Sequence, residues 1–387
     1  MSTTDPQEVV EFSLAGGGLL SRLMQRLGLA DRVLTRVLIF LTVAWLPLLI
    51  LSFTEGVAIG TSVRIPFLQD YGVYGRFLLA VPVLILAEIP IGRRSRQVLR
   101  EFVTSRFINE QDMPLFNTAV RDATRQKESA VTEIVILGII FIVAGIRSHL
   151  ALSDPLTTWY RRDGSITMAG WYYAFVSLPI FQLLLIRWIW RLAIWTRLLW
   201  RISRLDLQLL PIHPDKMGGL GFIGLAQIPF GFIGFAGGTV ISSYLINGII
   251  YRGTSLGASN GPMVGYVVLA TLIILTPILI FTDNLIELRA NGILKYGDIG
   301  EEYARLFDDK WAKGINPERE SILGSSDIQS LADLRNSFDI VQNMSIVAID
   351  RKSITMIIAA AFIPMIPLFF VALPFDEIIA KVLGVFG

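Results

Sequence analysis

The chain of 387 residues has no cysteine and two histidines, and only 17% of its residues are charged. Without cysteine there are no disulfides, no thiolate metal ligands and no cysteine nucleophiles. The histidines, His149 and His213, fall on opposite faces of the topology derived below, which removes a histidine metal centre or a nucleophile triad. Paired intramembrane aspartates do not occur, and no catalytic residue, metal or cofactor is expected; nothing points to nucleic acid. So few charges cannot cover a soluble protein of this length. Apolar residues make up 53% of the chain instead.

They fall into seven runs, each near the roughly 20 residues that cross a bilayer as a helix. The runs are 33–53, 74–91, 131–150, 170–190, 222–250, 263–285 and 354–373. Each must be helical, because lipid offers no partner to backbone N–H and C=O groups. Of the 34 lysines and arginines, 27 lie before or in the first turn of span one or in the segments 93–129, 187–216 and 289–352. The other seven are Arg64, Arg76, Arg147, Arg161, Arg162, Arg252 and Lys381. Basic residues gather on the cytoplasmic side, so the N-terminus is expected inside and the C-terminus outside. Aromatic residues agree: Trp159, Tyr160, Trp171, Tyr172 and Tyr173 mark the outer interface, and Trp188, Trp190, Trp195 and Trp200 the inner one. The expected fold is an all-α integral membrane protein of seven transmembrane helices with a small helical cytoplasmic layer.

Residues 1–32 form a cytoplasmic segment whose 19–29 stretch is amphipathic and lies on the membrane surface. Spans one and two take 33–91, and a cytoplasmic insertion takes 92–130. Spans three and four take 131–190, and a basic extension with a glycine-rich turn takes 191–221. Spans five and six take 222–285, a second insertion takes 286–353, and span seven takes 354–373. The second insertion has a helix opened by Ser326 or Asp327, and the two insertions are expected to pack together. The tail 374–387 has an amphipathic pattern, with Phe375, Ile378, Ile379, Val382, Leu383 and Phe386 on one face.

The most individual motif runs from Pro211 to Phe222 at the mouth of span five. His213, Asp215 and Lys216 precede Gly218 and Gly219, which could expose amides to an anion or a lipid headgroup. The simpler explanation is that Asp215 caps the helix while prolines and glycines turn the chain. With the segment from Gly324 to Leu334, this motif resembles a bacterial family of uncharacterised multi-pass inner-membrane proteins. The resemblance implies the bacterial inner membrane and carries no function.

In span five Gly231, Gly234 and Gly238 form a small-residue face for close helix packing. Prolines interrupt six of the seven spans, which suits a bundle that flexes or encloses a path. Arg187, Arg191, Arg197, Arg201 and Arg204 make one stripe within about a 140° arc. Their spacing suits anionic lipid headgroups better than a voltage sensor. Ionisable residues within spans are functional suspects. Glu88, Glu133, Arg187, Asp283 and Glu287 are candidates for a charged vestibule, or for ion pairs that fix helix register.

The leading expectation is a homo-oligomeric channel or pore for ions or small solutes. The layout is similar to the seven-span insect chemoreceptor channels, which would put span seven, with Met356, Ala360 and Met365, on the axis. The alternatives are a non-conducting scaffold or sensor with a cytoplasmic protein partner and, third, a secondary transporter.

Overall fold

The structure, a computed structural model, describes residues 12–29, 32–151, 157–162, 164–314, 321 and 324–372. The amphipathic tail 374–387 and the first eleven residues lie outside the described residues, as does any role for the side chain of His149.

A short helix α1 (Gly18–Arg26) precedes α2 (Val33–Thr54). Helix α3 (Tyr71–Thr104) carries the second expected span and runs on into the first insertion. Then come α4 (Met113–Lys127) and α5 (Ala130–Ala151). A hairpin of β1 (Arg161–Arg162) and β2 (Ser165–Ile166) leads into α6 (Met168–Ser203). Helices α7 (Gly221–Arg252) and α8 (Leu256–Leu279) follow, then α9 (Thr282–Phe307), α10 (Ser326–Gln342) and α11 (Arg351–Val371).

Among the described residues, α2, α3, α6, α7, α8 and α11 are long and apolar enough to cross a membrane. Helix α4 and residues 130–146 of α5 pass the same test together, bent by 41°, which brings the total to as many as seven. One boundary moves. The sixth expected run, 263–285, breaks after Leu279, two residues beyond Pro277. The chain turns at Ile280 and Phe281, and Leu285 lies buried at the start of α9.

The helices depart from ideal geometry where they meet. Pro229 places a 3₁₀ turn, Ile228–Phe230, inside α7. Residues Tyr74–Ala80 of α3 and Tyr173–Ser177 of α6 are π-helical. Such turns persist only where the surroundings hold them, and they gather at functional sites. Small residues let α3 and α7 touch: a Cβ on Gly75 would lie 2.8 Å from the carbonyl oxygen of Thr239.

Two ends of the bundle can be told apart. The basic end gathers α1, α4, the C-terminal halves of α3 and α6, and the 205–220 loop. At the hairpin end lie β1–β2, the starts of α3 and α6, and the α7–α8 turn. The core runs between them through Phe67, Phe77, Trp159, Trp188, Trp195, Phe102 and Phe281, all under 2% exposed or at that limit.

The two insertions meet less than their sequences suggest. Helix α4 lies along α6, where Asp122 and Arg201 are 2.6 Å apart. The α9–α10 pair instead seats on the 205–220 loop: Gly292 leaves room for Pro211, and Gly218 for Leu288. Phe102, stacked on Phe281 at 6.3 Å, joins the first insertion to this second layer. The cap of α10 is Ser325, whose Oγ accepts from the Asp327 amide, one position before the expected cap.

Candidate functional site

The basic end brings three of the five suspected vestibule residues together. Arg187 Nε lies 3.0 Å from Glu133 Oε1, and Arg191 Nη1 lies 3.3 Å from Glu88 Oε1. Arg36 completes the set at 2.6 Å from Glu88. Asp283 and Glu287 do not belong to it. Both are exposed on α9 and make no ion pair with a described residue, because the chain break after α8 carries them away from the α3–α5–α6 contact.

No open vestibule results, because the segment Phe12–Gly17 fills this end. Phe12 and Leu14 are buried. Lys127 Nζ donates to the Ser13 carbonyl at 2.8 Å, and the Leu14 amide donates to Ser95 Oγ at 3.0 Å. Arg191 and Arg187 donate to the carbonyls of Gly16 and Gly17 at 2.9 and 2.8 Å. Glu133 Oε2 accepts from the amides of Leu19 and Leu20 at 2.5 and 3.2 Å, so it caps α1 from a distant helix. Glycines make this fit: Gly16, Gly17 and Gly18 all have positive φ, and Gly92 leaves space for Ala15. Every charge here has a partner from the chain itself.

The Pro211–Phe222 motif is equally self-satisfied. Asp215 Oδ1 accepts from the amides of Met217 and Gly219 at 2.8 and 3.1 Å, and Oδ2 from Gly221 at 3.0 Å. His213 Nδ1 sits 2.8 Å from Oδ1 and donates to it when the ring is protonated. A neutral ring with Nδ1 bare can instead accept the Asp215 amide at 3.3 Å. Burial alone would push the Asp215 carboxyl up, but the three backbone donors and His213 outweigh it and hold the group below its ordinary value. Lys216 and Gly218 take left-handed conformations to close the loop, and the Lys216 carbonyl accepts from the Ser345 amide at 2.7 Å. Of the two glycine amides expected to meet an external anion, that of Gly219 is thus taken by Asp215. A cavity of about 570 Å³ beside the motif is lined by the carboxylates Glu101, Asp215 and Asp350 and by no lysine or arginine. That is the wrong sign for a phosphate.

The span-five glycines pack inside the chain. A Cβ on Gly231 would meet Ala360 at 3.0 Å, and one on Gly238 would meet the Ala361 carbonyl at 2.7 Å. Gly234 leaves room for Ile274 and Ala361. Their partner is α11, and the close approach is that of small-residue helix pairs. Met365 is fully buried in this contact, so Met356, Ala360 and Met365 do not present one open face.

The hairpin end differs. A cavity of about 580 Å³ opens between α3, α5, α6, α7 and α8. Arg76, Arg161 and Arg252 line it from α3, the hairpin and the end of α7, together with Tyr160, Tyr173 and Tyr244. Arg76 belongs to the π-helical turns of α3 and donates through Nη1 to Tyr173 Oη at 2.8 Å, where the π-helical turns of α6 begin. Asp70 is the one carboxylate among the described lining residues. Its oxygens are committed: Oδ1 accepts from the Gly72 amide and Asn247 Nδ2 at 2.8 and 2.7 Å, and Oδ2 from Trp159 Nε1 at 2.8 Å. Asp70 therefore ties the start of α3, the loop before the hairpin and α7 into one wall. Aromatic contacts harden it, with Trp159 edge-on to Phe67 at 5.0 Å and to Tyr173 at 5.3 Å.

This corrects the aromatic belt. Trp159 is fully buried and Tyr173 nearly so, whereas Trp171 alone of the three stays half exposed. The sequence did not single out Asp70, Asn247 or Tyr173 as site residues. One signal for the site was present: Arg76, Arg161 and Arg252 are among the seven basic residues outside the basic segments. Compared with protein-family models, curated proteins and solved structures, the chain has no match.

Proposed function

We propose that the chain is a multi-pass membrane transport protein that takes a small solute into the hairpin-end cavity and passes it through the bundle. The carrying observation is that this cavity of about 580 Å³ lies where the π-helical turns of α3 and α6 are joined by the Arg76–Tyr173 hydrogen bond. Helices with such turns change register and bend there at little cost. Deeper in the bundle, Ser242 on α7, Thr271 on α8 and Gln227 near the α7 break each carry a buried oxygen with no protein partner. These polar atoms mark a route towards the basic end.

The distribution of basic residues supports an orientation with the basic end and N-terminus in the cytoplasm. The cavity then opens outward, and the family resemblance supports the bacterial inner membrane. A solute path within each chain takes precedence over a pore on the axis of a homo-oligomer, because the glycine face and the Ala360–Ala361 side of α11 are spent on packing inside one chain. A scaffold function has one observation in its favour, the apolar groove of about 270 Å³ on α9–α10 lined by Tyr296, Leu331, Leu334 and Phe338.

The test is uptake into proteoliposomes of chloride, sulfate, benzoate, potassium and glycerol, against empty vesicles and the variant Ala174→Phe, which fills the cavity. Saturable uptake of one solute that Ala174→Phe abolishes supports the proposal. Flux that does not saturate and survives Ala174→Phe assigns conduction elsewhere, and no uptake of any solute leaves the scaffold.

A further inference from the structure

The hairpin-end cavity also specifies the charge of what enters it. Arg76 stands on a helix apolar enough to span a membrane, where an ionisable residue is costly and normally paired. Yet Arg76 makes no salt bridge with any described residue, and its hydrogen-bond partner is the neutral phenol of Tyr173. Asp70 is close, but both of its oxygens are held by Gly72, Asn247 and Trp159. The guanidinium therefore keeps most of its donors for something that is not part of the chain. Arg161 and Arg252 line two further walls and have contacts of their own. At the basic end, by contrast, Arg187 and Arg191 each reach a glutamate within 3.3 Å.

A charge recessed in a low-dielectric wall is stabilised by a counter-ion. A guanidinium, planar with donors on parallel edges, is matched by a carboxylate or another oxyanion. The cavity is much larger than an inorganic ion, and Ile65, Leu178, Leu245 and the rings of Tyr160, Tyr173 and Tyr244 supply its apolar lining. Pockets of this size and make-up take small organic molecules. From these observations we infer that the hairpin-end cavity binds a small organic oxyanion, with its carboxylate or equivalent group on Arg76 and its apolar body against the tyrosines. Tyr173 is the positioning residue that holds the guanidinium towards the cavity. This rests on the cavity being the solute site, and it names the solute's class.

The test is calorimetric titration of the full-length protein in detergent micelles, without vesicles, so that binding is read apart from transport. Benzoate and benzylammonium, alike in size and opposite in charge, are the probes, with succinate and sulfate alongside. Saturable binding of benzoate and none of benzylammonium is the expected result. Arg76→Gln should weaken benzoate at least about tenfold, as loss of a charge-assisted pair does. Arg76→Lys should fall between, since it keeps the charge and loses the planar fork. Tyr173→Phe should weaken it less, and unchanged thermal unfolding of Arg76→Lys and Tyr173→Phe shows that folding is not the cause. Equal binding of both probes, no binding of any oxyanion, or full affinity in Arg76→Gln overturns the inference. Arg76-dependent benzoate binding without uptake would sustain it and remove the transport proposal. Saturable uptake of glycerol or potassium with no oxyanion binding would do the reverse.

Discussion

The two ends of this bundle use the same residue type to opposite effect. At the basic end Arg36, Arg187 and Arg191 meet Glu88 and Glu133, and Arg191 and Arg187 also donate to the carbonyls of Gly16 and Gly17. At the hairpin end Arg76 meets a phenol and a cavity. Removing one partner of a buried pair strands the other, so a closed network belongs to the fold. A charge without a partner costs the folded state and is retained for another purpose. Charge inside a membrane helix is thus not evidence of function by itself. Its state of pairing is.

The comparison can be broken most forcefully by Arg187→Gln, which leaves Glu133 buried opposite a neutral amide and costs α1 an anchor. Thermal unfolding in micelles should show a loss of about 3 to 5 kcal/mol, with benzoate binding intact below the transition. A second change tests the packing that keeps the path inside one chain. Gly238→Leu forces a side chain onto the Ala361 carbonyl and should cost about 1 to 3 kcal/mol, read by the same assay.

Asp215→Asn should cost about 1 to 2 kcal/mol, because the amide can accept from fewer of the three backbone donors. The pH dependence has a definite sign. The Asp215 carboxyl is held below its ordinary value of 3.8, so the stability it contributes is complete above that value and drains away as pH falls below it. Unfolding followed from pH 6 downward should show Asp215→Asn and the parent converging in acid. A gap that widened in acid would contradict the capping role. The smallest effect on stability is expected for Arg76→Gln, which breaks no salt bridge between described residues and gives up one hydrogen bond, that to Tyr173.

Much of the architecture was legible because bilayer thickness and apolar run length leave few choices. The six helices lie where the runs lie, and the break after Leu279 moved only one boundary. Close packing was legible in Gly231, Gly234 and Gly238, though not that Ala360 and Ala361 of α11 were the partner. The pairing of Glu88 and Glu133 with arginines was foreseen as one of two readings, but its use to hold Phe12–Gly17 was not. A chain segment without periodicity gives no sign of where it docks. The cavity was illegible for a related reason: Arg76, Asn247 and Tyr173 lie up to 171 residues apart in the numbering, and only the folded chain puts them on one wall. Their trace was an imbalance: Arg76 is among the few basic residues outside the basic segments.

The most direct test of the contrast between the ends is a paired one: benzoate affinity and thermal unfolding measured together for Arg76→Gln and Arg187→Gln in the full-length protein. The account predicts that Arg76→Gln loses affinity and keeps stability, while Arg187→Gln loses stability and keeps affinity. If Arg187→Gln loses benzoate at temperatures where it is still folded, and Arg76→Gln binds as the parent does, the functional site lies at the basic end and the assignment is wrong.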